Sequence, residues 1–218
     1  MLGKIGAMAS AVALGACSVF GIRAGTPQPA YRVIAQVGDA EIRAYGPRLA
    51  AQTEAEGDTD AARSAAFRRL AAYIFGANHG QSSIAMTAPV ATSAAGASIA
   101  MTAPVATSAA PTGAPSGAHG LTMTFYMPPG FTAATLPVPN DPRVRIVTVP
   151  AQTVAVWRYS GSTSDTHVAA AHAALLSALA GSAWRPVGDV YDWFYDPPWT
   201  LPPLRRNEAV VEVTQAPK

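Results

Sequence analysis

Residues 58–90 read DTDAARSAAFRRLAAYIFGANHGQSSIAMTAPV. Asp58 and Asp60 supply a helix start, and Gly76 supplies a stop. Between them Arg63, Phe67, Leu70, Ala71 and Ile74 recur at helical spacing, so a helix to about Phe75 places them on one face. The IAMTAPV stretch, 84–90, reads as the strand that follows. The same order returns later. Gly161 to Asp165 opens a second helix that runs to about Ala180, with Val168, His172, Leu175 and Leu179 on one stripe and Gly181 behind it.

Strands fill the space around these helices. Glu41 to Tyr45 alternates, Gly46-Pro47 interrupts, and Leu49 to Ala55 alternates again, which predicts a hairpin. Leu121, Met123, Phe125 and Met127 alternate with Thr122, Thr124 and Tyr126, giving a strand with one apolar face, closed by Pro128-Pro129-Gly130. Further strands are expected over 144–149, 153–159, 190–195 and 208–213. Strands outnumber helices, and both helices have an apolar stripe to bury. The expected fold is α+β: a curved antiparallel sheet or distorted barrel, made of two pseudo-repeated strand–helix–strand halves, with two helices packed on it.

One stretch occurs twice. SIAMTAPVATSAA spans 83–95 and again 98–110, a period of fifteen. Fifteen is odd, so pairing both copies in one continuous strand would turn identical side chains to opposite faces. Pro89 and Pro104 each interrupt a ladder. One copy is therefore expected in the sheet and the other in a long loop.

The chain has 218 residues, half of them hydrophobic, with a formal net charge of +2. That is enough for one sizeable core. Basic residues are scattered apart from Arg68-Arg69 and Arg205-Arg206, and no basic stripe interleaved with aromatics points to nucleic acid. Residues 1–16, MLGKIGAMASAVALGA, have the pattern of a signal peptide: one Lys, a short apolar stretch, then small residues. Leu14-Gly15-Ala16-Cys17 resembles a bacterial lipobox, and Cys17 is the only cysteine, so no intramolecular disulfide forms. The resemblance implies cleavage before Cys17 and its lipidation, hence membrane anchoring at the cell envelope, facing the periplasm. Ser18 rather than Asp follows, which favours the outer membrane over the inner. Residues 17–30 read as a tether, and 31–215 as the folded domain, with the duplicated segment at 83–110.

Five stretches then stand out together: Asp39 to Tyr45 (DAEIRAY), Phe67 to Asn78 (FRRLAAYIFGAN), Ile84 to Val90 (IAMTAPV), Phe125 to Pro128 (FYMP) and Tyr195 to Glu208 (YDPPWTLPPLRRNE). In this order they resemble the SOUL family of haem-binding proteins, from about Tyr31 to Val213. The resemblance implies non-covalent binding of haem or another tetrapyrrole in an apolar groove associated with the first helix. It also implies a kinship in fold with small-molecule effector domains of bacterial regulators. On that helix Phe67, Leu70, Ala71 and Ile74 would form an apolar wall, and Arg63 would reach a propionate. Axial ligation has no clear candidate. His79, His119, His167 and His172 all lie outside the first helix, and Met86, Met101, Met123 and Met127 fit core packing as well as iron. An enzyme acting on tetrapyrroles, and a module binding another amphipathic ligand or a protein partner, are the alternatives. In the 195–208 stretch, Arg205 or Arg206 is expected to pair with a carboxylate such as Glu41 or Glu208.

Overall fold

The computed structural model describes residues 26–57, 60–94, 120–196 and 200–216. Among them are nine strands: β1 (Tyr31–Val37), β2 (Ala40–Tyr45), β3 (Arg48–Glu56), β4 (Val90–Ala94), β5 (Gly120–Tyr126), β6 (Arg145–Val149), β7 (Gln152–Tyr159), β8 (Trp184–Phe194) and β9 (Asn207–Gln215). Two α-helices accompany them, α1 (Asp60–Ile74) and α2 (Asp165–Leu179). The strands form one antiparallel sheet in the order β1-β2-β7-β9-β8-β4-β5-β3-β6. Among the described residues the sheet is curved but does not close, so the barrel alternative is not realised there: β1 and β6 each have one side with no partner strand.

The hairpin expected from 41–55 does not form. β2 pairs with β1 and β7, whereas β3 pairs with β5 and β6. The cause lies in the two-residue link. Tight hairpin turns need a positive φ at the first central residue. Gly46 does not adopt one, and Pro47 is locked to a negative φ. The chain therefore crosses over instead of reversing.

That crossing has a counterpart. β6 precedes β7 through Pro150-Ala151, yet β6 pairs with β3 while β7 pairs with β2. Each half thus lends its leading strand to the other. The halves β2-β3-α1-β4-β5 and β6-β7-α2-β8-β9 map onto one another across the β4–β8 contact, with β5 and β9 each lying between the two strands of its own half. The expected pseudo-repeat is real, and its strand exchange binds the halves together. β1, absent from the sequence reading, is added to β2 through a turn at Gly38, whose φ is +57°.

The first copy of the repeat enters the sheet, but only by its tail. Val90 to Ala94 makes β4, paired with β5 and β8. Ile84–Pro89 is not a strand. Ile84 is buried, and its N–H donates to the Ile74 carbonyl at 2.8 Å. Thr87 Oγ1 donates to the Tyr126 carbonyl, and the Ala88–Pro89 peptide is cis. Pro89 has no N–H for a ladder, so pairing starts one residue later. The second copy, 98–110, lies outside the described residues, as do the signal stretch, Cys17 and Asp58.

Side chains alternate across the sheet and fill three cores. α1 covers one, with Leu70, Tyr73 and Ile74 against Leu121, Met123 and Phe125. α2 covers another, with Ala171, Leu175 and Leu179 against Ile42, Ala155 and Val211. The third occupies the inner face around which the two halves curl: Tyr45, Tyr126, Val154, Val156, Trp193, Tyr195 and Val210.

Candidate functional site

The five residues on α1 separate. Leu70 and Ile74 are fully buried in the core beneath the helix. The face that packs is Ala62, Ala66, Leu70, Tyr73 and Ile74, rotated from the stripe read in the sequence. Arg63, Phe67 and Ala71 lie on the flank of that face. Phe75, four residues after Ala71, extends their line and is 68% exposed. Its N–H still donates to the Ala71 carbonyl at 2.9 Å, so it continues the helical turn. The four-residue spacing of Arg63, Phe67, Ala71 and Phe75 was the signal for it. A guanidinium stands at one end of this stripe, and two aromatic rings flank a small residue.

The two flanks of α1 differ. On one, Arg69 Nη1 donates to Thr53 Oγ1 and to the Glu54 carbonyl, both at 2.8 Å, and pins the helix to β3. On the other, Phe67 meets the buried Phe125 ring edge-on at 5.5 Å and stays 37% exposed. Arg63 contacts Asp60 at 3.2 Å and Asp165, the first residue of α2, at 3.3 Å. Both carboxylates are exposed, so solvent screens these pairs and a ligand carboxylate can compete for the guanidinium.

Among the described residues no histidine lies on α1. His167 contacts Ser162 and Ser164, and His172 Nε2 lies 3.0 Å from Asp192 Oδ1 against β8. His79 is exposed in the loop after α1 and its N–H donates to the Val138 carbonyl; His119 falls outside the described residues. Met123 and Met127 are buried in the core under α1, whereas Met86 is 36% exposed. Among the described residues no group of three His, Cys, Asp or Glu side chains is placed to hold a metal ion. A recess lined by Glu54, Pro142, Arg143 and Arg145 is too charged to receive an apolar disc.

The inner face carries a second constellation. The fully buried Glu208 accepts bonds from Arg43 (2.9 and 3.1 Å), Arg206 (3.0 and 2.6 Å) and the Tyr195 hydroxyl (2.7 Å). Burial alone would raise the Glu208 carboxyl pKa. The Arg43 bonds and charge, aided by Arg206 and Tyr195, hold it below the usual range instead. Burial beside this carboxylate pushes the Tyr195 phenol well up. Every acceptor is filled, so the cluster is a brace across β2, β8 and β9, and the expected Arg206–Glu208 pairing holds. Glu41 pairs with Arg43 instead, at 2.7 Å.

The family model described as SOUL heme-binding protein matches residues 26–212. No curated protein matches. Among solved structures, the C-terminal domain of EcmrR superposes with a TM-score of 0.56 at 11% identity, covering 85% of this chain and 99% of that one. A hydrolase from Listeria innocua gives 0.51 at 13% identity, covering 83% and 94%. At such identities these likenesses describe the fold alone. The match of the family model over most of the sequence makes the chain a member of the SOUL heme-binding protein family.

Proposed function

We propose that the protein binds haem or a related tetrapyrrole non-covalently on the open flank of α1, as a carrier or buffer. The observation that carries this is the Arg63–Phe67–Ala71–Phe75 stripe, with exposed Phe67 and Phe75 and half-buried Arg63 and Ala71, in a chain of this family. A tetrapyrrole is a flat apolar disc with carboxylates at one edge. Phe67 and Phe75 offer apolar area, Ala71 leaves room between them, and Arg63 matches a propionate. Leu70 and Ile74 support the stripe from beneath. Cys17 as a lipid attachment site would hold the domain at the envelope membrane, on the periplasmic side.

Absorbance titration with ferric and ferrous haem tests the site. A saturable one-to-one Soret shift is expected, weakened about tenfold or more by Arg63→Ala or Phe67→Asp. Equal affinity in both variants would remove the ligand from this flank. Cys17→Ser is expected to release the protein from the membrane fraction; retention there would refute lipidation at that residue.

A further inference from the structure

The place between β5 and β8 is filled by residues that the chain carries twice. Ile84 is buried in the core under α1, and its N–H donates to the Ile74 carbonyl at 2.8 Å. Thr87 Oγ1 donates to the Tyr126 carbonyl, and the Ala88 N–H donates to the Pro27 carbonyl at 3.0 Å. Ala88 and Ala91 are buried in the inner core, and Val90 packs against the core under α1. Val90–Ala94 supplies the ladder, with five pairs to β5 and three to β8. All of these residues lie within 83–95, which 98–110 repeats letter for letter. Ile99, Thr102, Ala103, Pro104 and Val105 to Ala109 therefore offer the same side chains and the same N–H groups in the same order.

The flanks agree as well. Ahead of the first copy, Asn78 holds the backbone of Ser82, accepting from its N–H at 3.0 Å and donating to its carbonyl at 2.7 Å. Only backbone atoms of Ser82 are used, and Ala97, at the corresponding position, has both. Gln81 has a φ of +50°, in the left-handed region that costs a residue with a Cβ. The corresponding residue ahead of the second copy is Gly96, which adopts that region freely. Chain length favours neither copy. The first leaves links 75–83 and 95–119 on its two sides, and the second would leave 75–98 and 110–119. One link lengthens by a period as the other shortens by it. Loop-closure entropy rises only with the logarithm of length, so on this count the two arrangements differ less than about twofold in population. A slipped register ordinarily turns side chains to the wrong face. A slip of one whole repeat puts an identical side chain at every position, so that penalty is absent.

We propose that the place between β5 and β8 is bistable: 98–110 replaces 83–95 in it, and the folded chain exists in two registers fifteen residues apart. Each copy substitutes for the other, so a change that spoils one is absorbed by its twin. The exchange transfers one repeat period from the β4–β5 link to the link that follows Phe75 at the end of α1.

The test is equilibrium urea unfolding of the full chain in non-ionic detergent, followed by circular dichroism, for Ile84→Asp, Ile99→Asp and the double variant. Ile84 is 3% exposed, so a carboxylate at its position is strongly disfavoured. Each single substitution is expected to lower the folded-to-unfolded ratio only about twofold, since one of two near-equal registers is lost. The double variant is expected to lower it by about thirtyfold or more. Hydrogen exchange locates the strand: the amides of 105–109 should be protected in Ile84→Asp, and those of 90–94 in Ile99→Asp. An Ile84→Asp protein as unstable as the double variant, or one that fails to fold, would overturn the proposal. So would an Ile84→Asp protein that folds with 90–94 still protected, or a double variant as stable as the singles.

Discussion

Replacing Glu208 by Gln keeps its shape and removes its charge. In the native chain that carboxylate has no exposed surface and accepts five hydrogen bonds from Arg43, Arg206 and Tyr195. Arg43 is itself 3% exposed. In Glu208→Gln the Arg43 guanidinium keeps the half-exposed Glu41 as its carboxylate partner and the Tyr31 ring beside it, and the amide nitrogen confronts N–H donors. Breaking a buried pair by removing one partner costs about 3–5 kcal/mol. For a domain of this size that corresponds to a fall in melting temperature of roughly 6–20 °C. The brace joins β2 to β8 and β9, so the loss should appear as one cooperative transition. The assay is thermal unfolding by circular dichroism at pH 7 for the wild type, Glu208→Gln, Arg43→Met and the double variant. The double variant removes the stranded charge, so it should be less destabilised than the sum of the singles. A Glu208→Gln protein that melts within about 2 °C of wild type would refute the reasoning, since by the same scaling it would put the pair below about 1 kcal/mol.

The same network fixes a pH dependence. The folded Glu208 pKa lies below its unfolded value, so its stabilisation is complete above the unfolded carboxylate range, near 4.3, and is lost as pH falls through the folded value. A wild-type melting temperature that drops only below about pH 4, with a shallower drop in Glu208→Gln, is the expected pattern. Asp141, bonded by Arg143 through both side chain and backbone, should titrate at about 2 by carboxyl carbon shifts; an ordinary value near 3.9 would break that assignment. Leu70→Ala should cost about 2–5 kcal/mol in denaturant unfolding, whereas Arg63→Ala should cost under about 1, because its Asp60 and Asp165 partners are exposed. Comparable losses in the two would contradict their placement. Deleting residues 96–110 removes one repeat period and leaves β4 with its partners β5 and β8, so the melting temperature should not change. A large drop would show that the second copy is needed.

Periodicity made the helices and most strands legible, because it reports on one element at a time. The Leu121–Met127 alternation correctly gave one apolar face, and that face lies under α1. What it could not report was partnership. Glu41–Tyr45 and Leu49–Ala55 look like a hairpin because they are adjacent and alternate, yet the conformation at Gly46-Pro47 sends them to different neighbours. The site suffered a smaller version of the same problem. Positions 63, 67, 70, 71 and 74 lie within one broad arc of a helix, but a sheet takes only part of it. Alanines at 62 and 66 let α1 approach the sheet, so the buried arc turned toward them and left Arg63 and Phe67 on its border. Alanine carries little hydrophobic weight in a pattern, which is why a helix packed through small residues was misread by a quarter turn or less.

The strand exchange also explains why the inner face was hidden. The side chains of the Glu208 brace and the Arg48 cluster come from β2, β3, β5, β7, β8 and β9, one or two from each strand: Arg43 and Tyr45, Arg48, Tyr126, Gln152, Tyr191 and Trp193, Glu208. Within a single strand these look like solvent-facing polar positions. Only the reciprocal crossing of β2 and β6 brings Tyr45 beside Gln152 and Arg48 beside Val149, and so places a guanidinium over aromatic rings from both halves. Outer and inner faces consequently answer to different constraints. The α1 flank can vary in ligand contacts without disturbing strand pairing, because Leu70 and Ile74 anchor the helix from below. The inner face cannot, since Glu208, its arginines and Tyr195 join three places in the chain. A substitution there should lower stability and leave haem binding on the α1 flank intact, whereas Phe67→Asp should weaken haem binding with little loss of stability, and thermal unfolding and haem titration on Glu208→Gln and Phe67→Asp measure that difference.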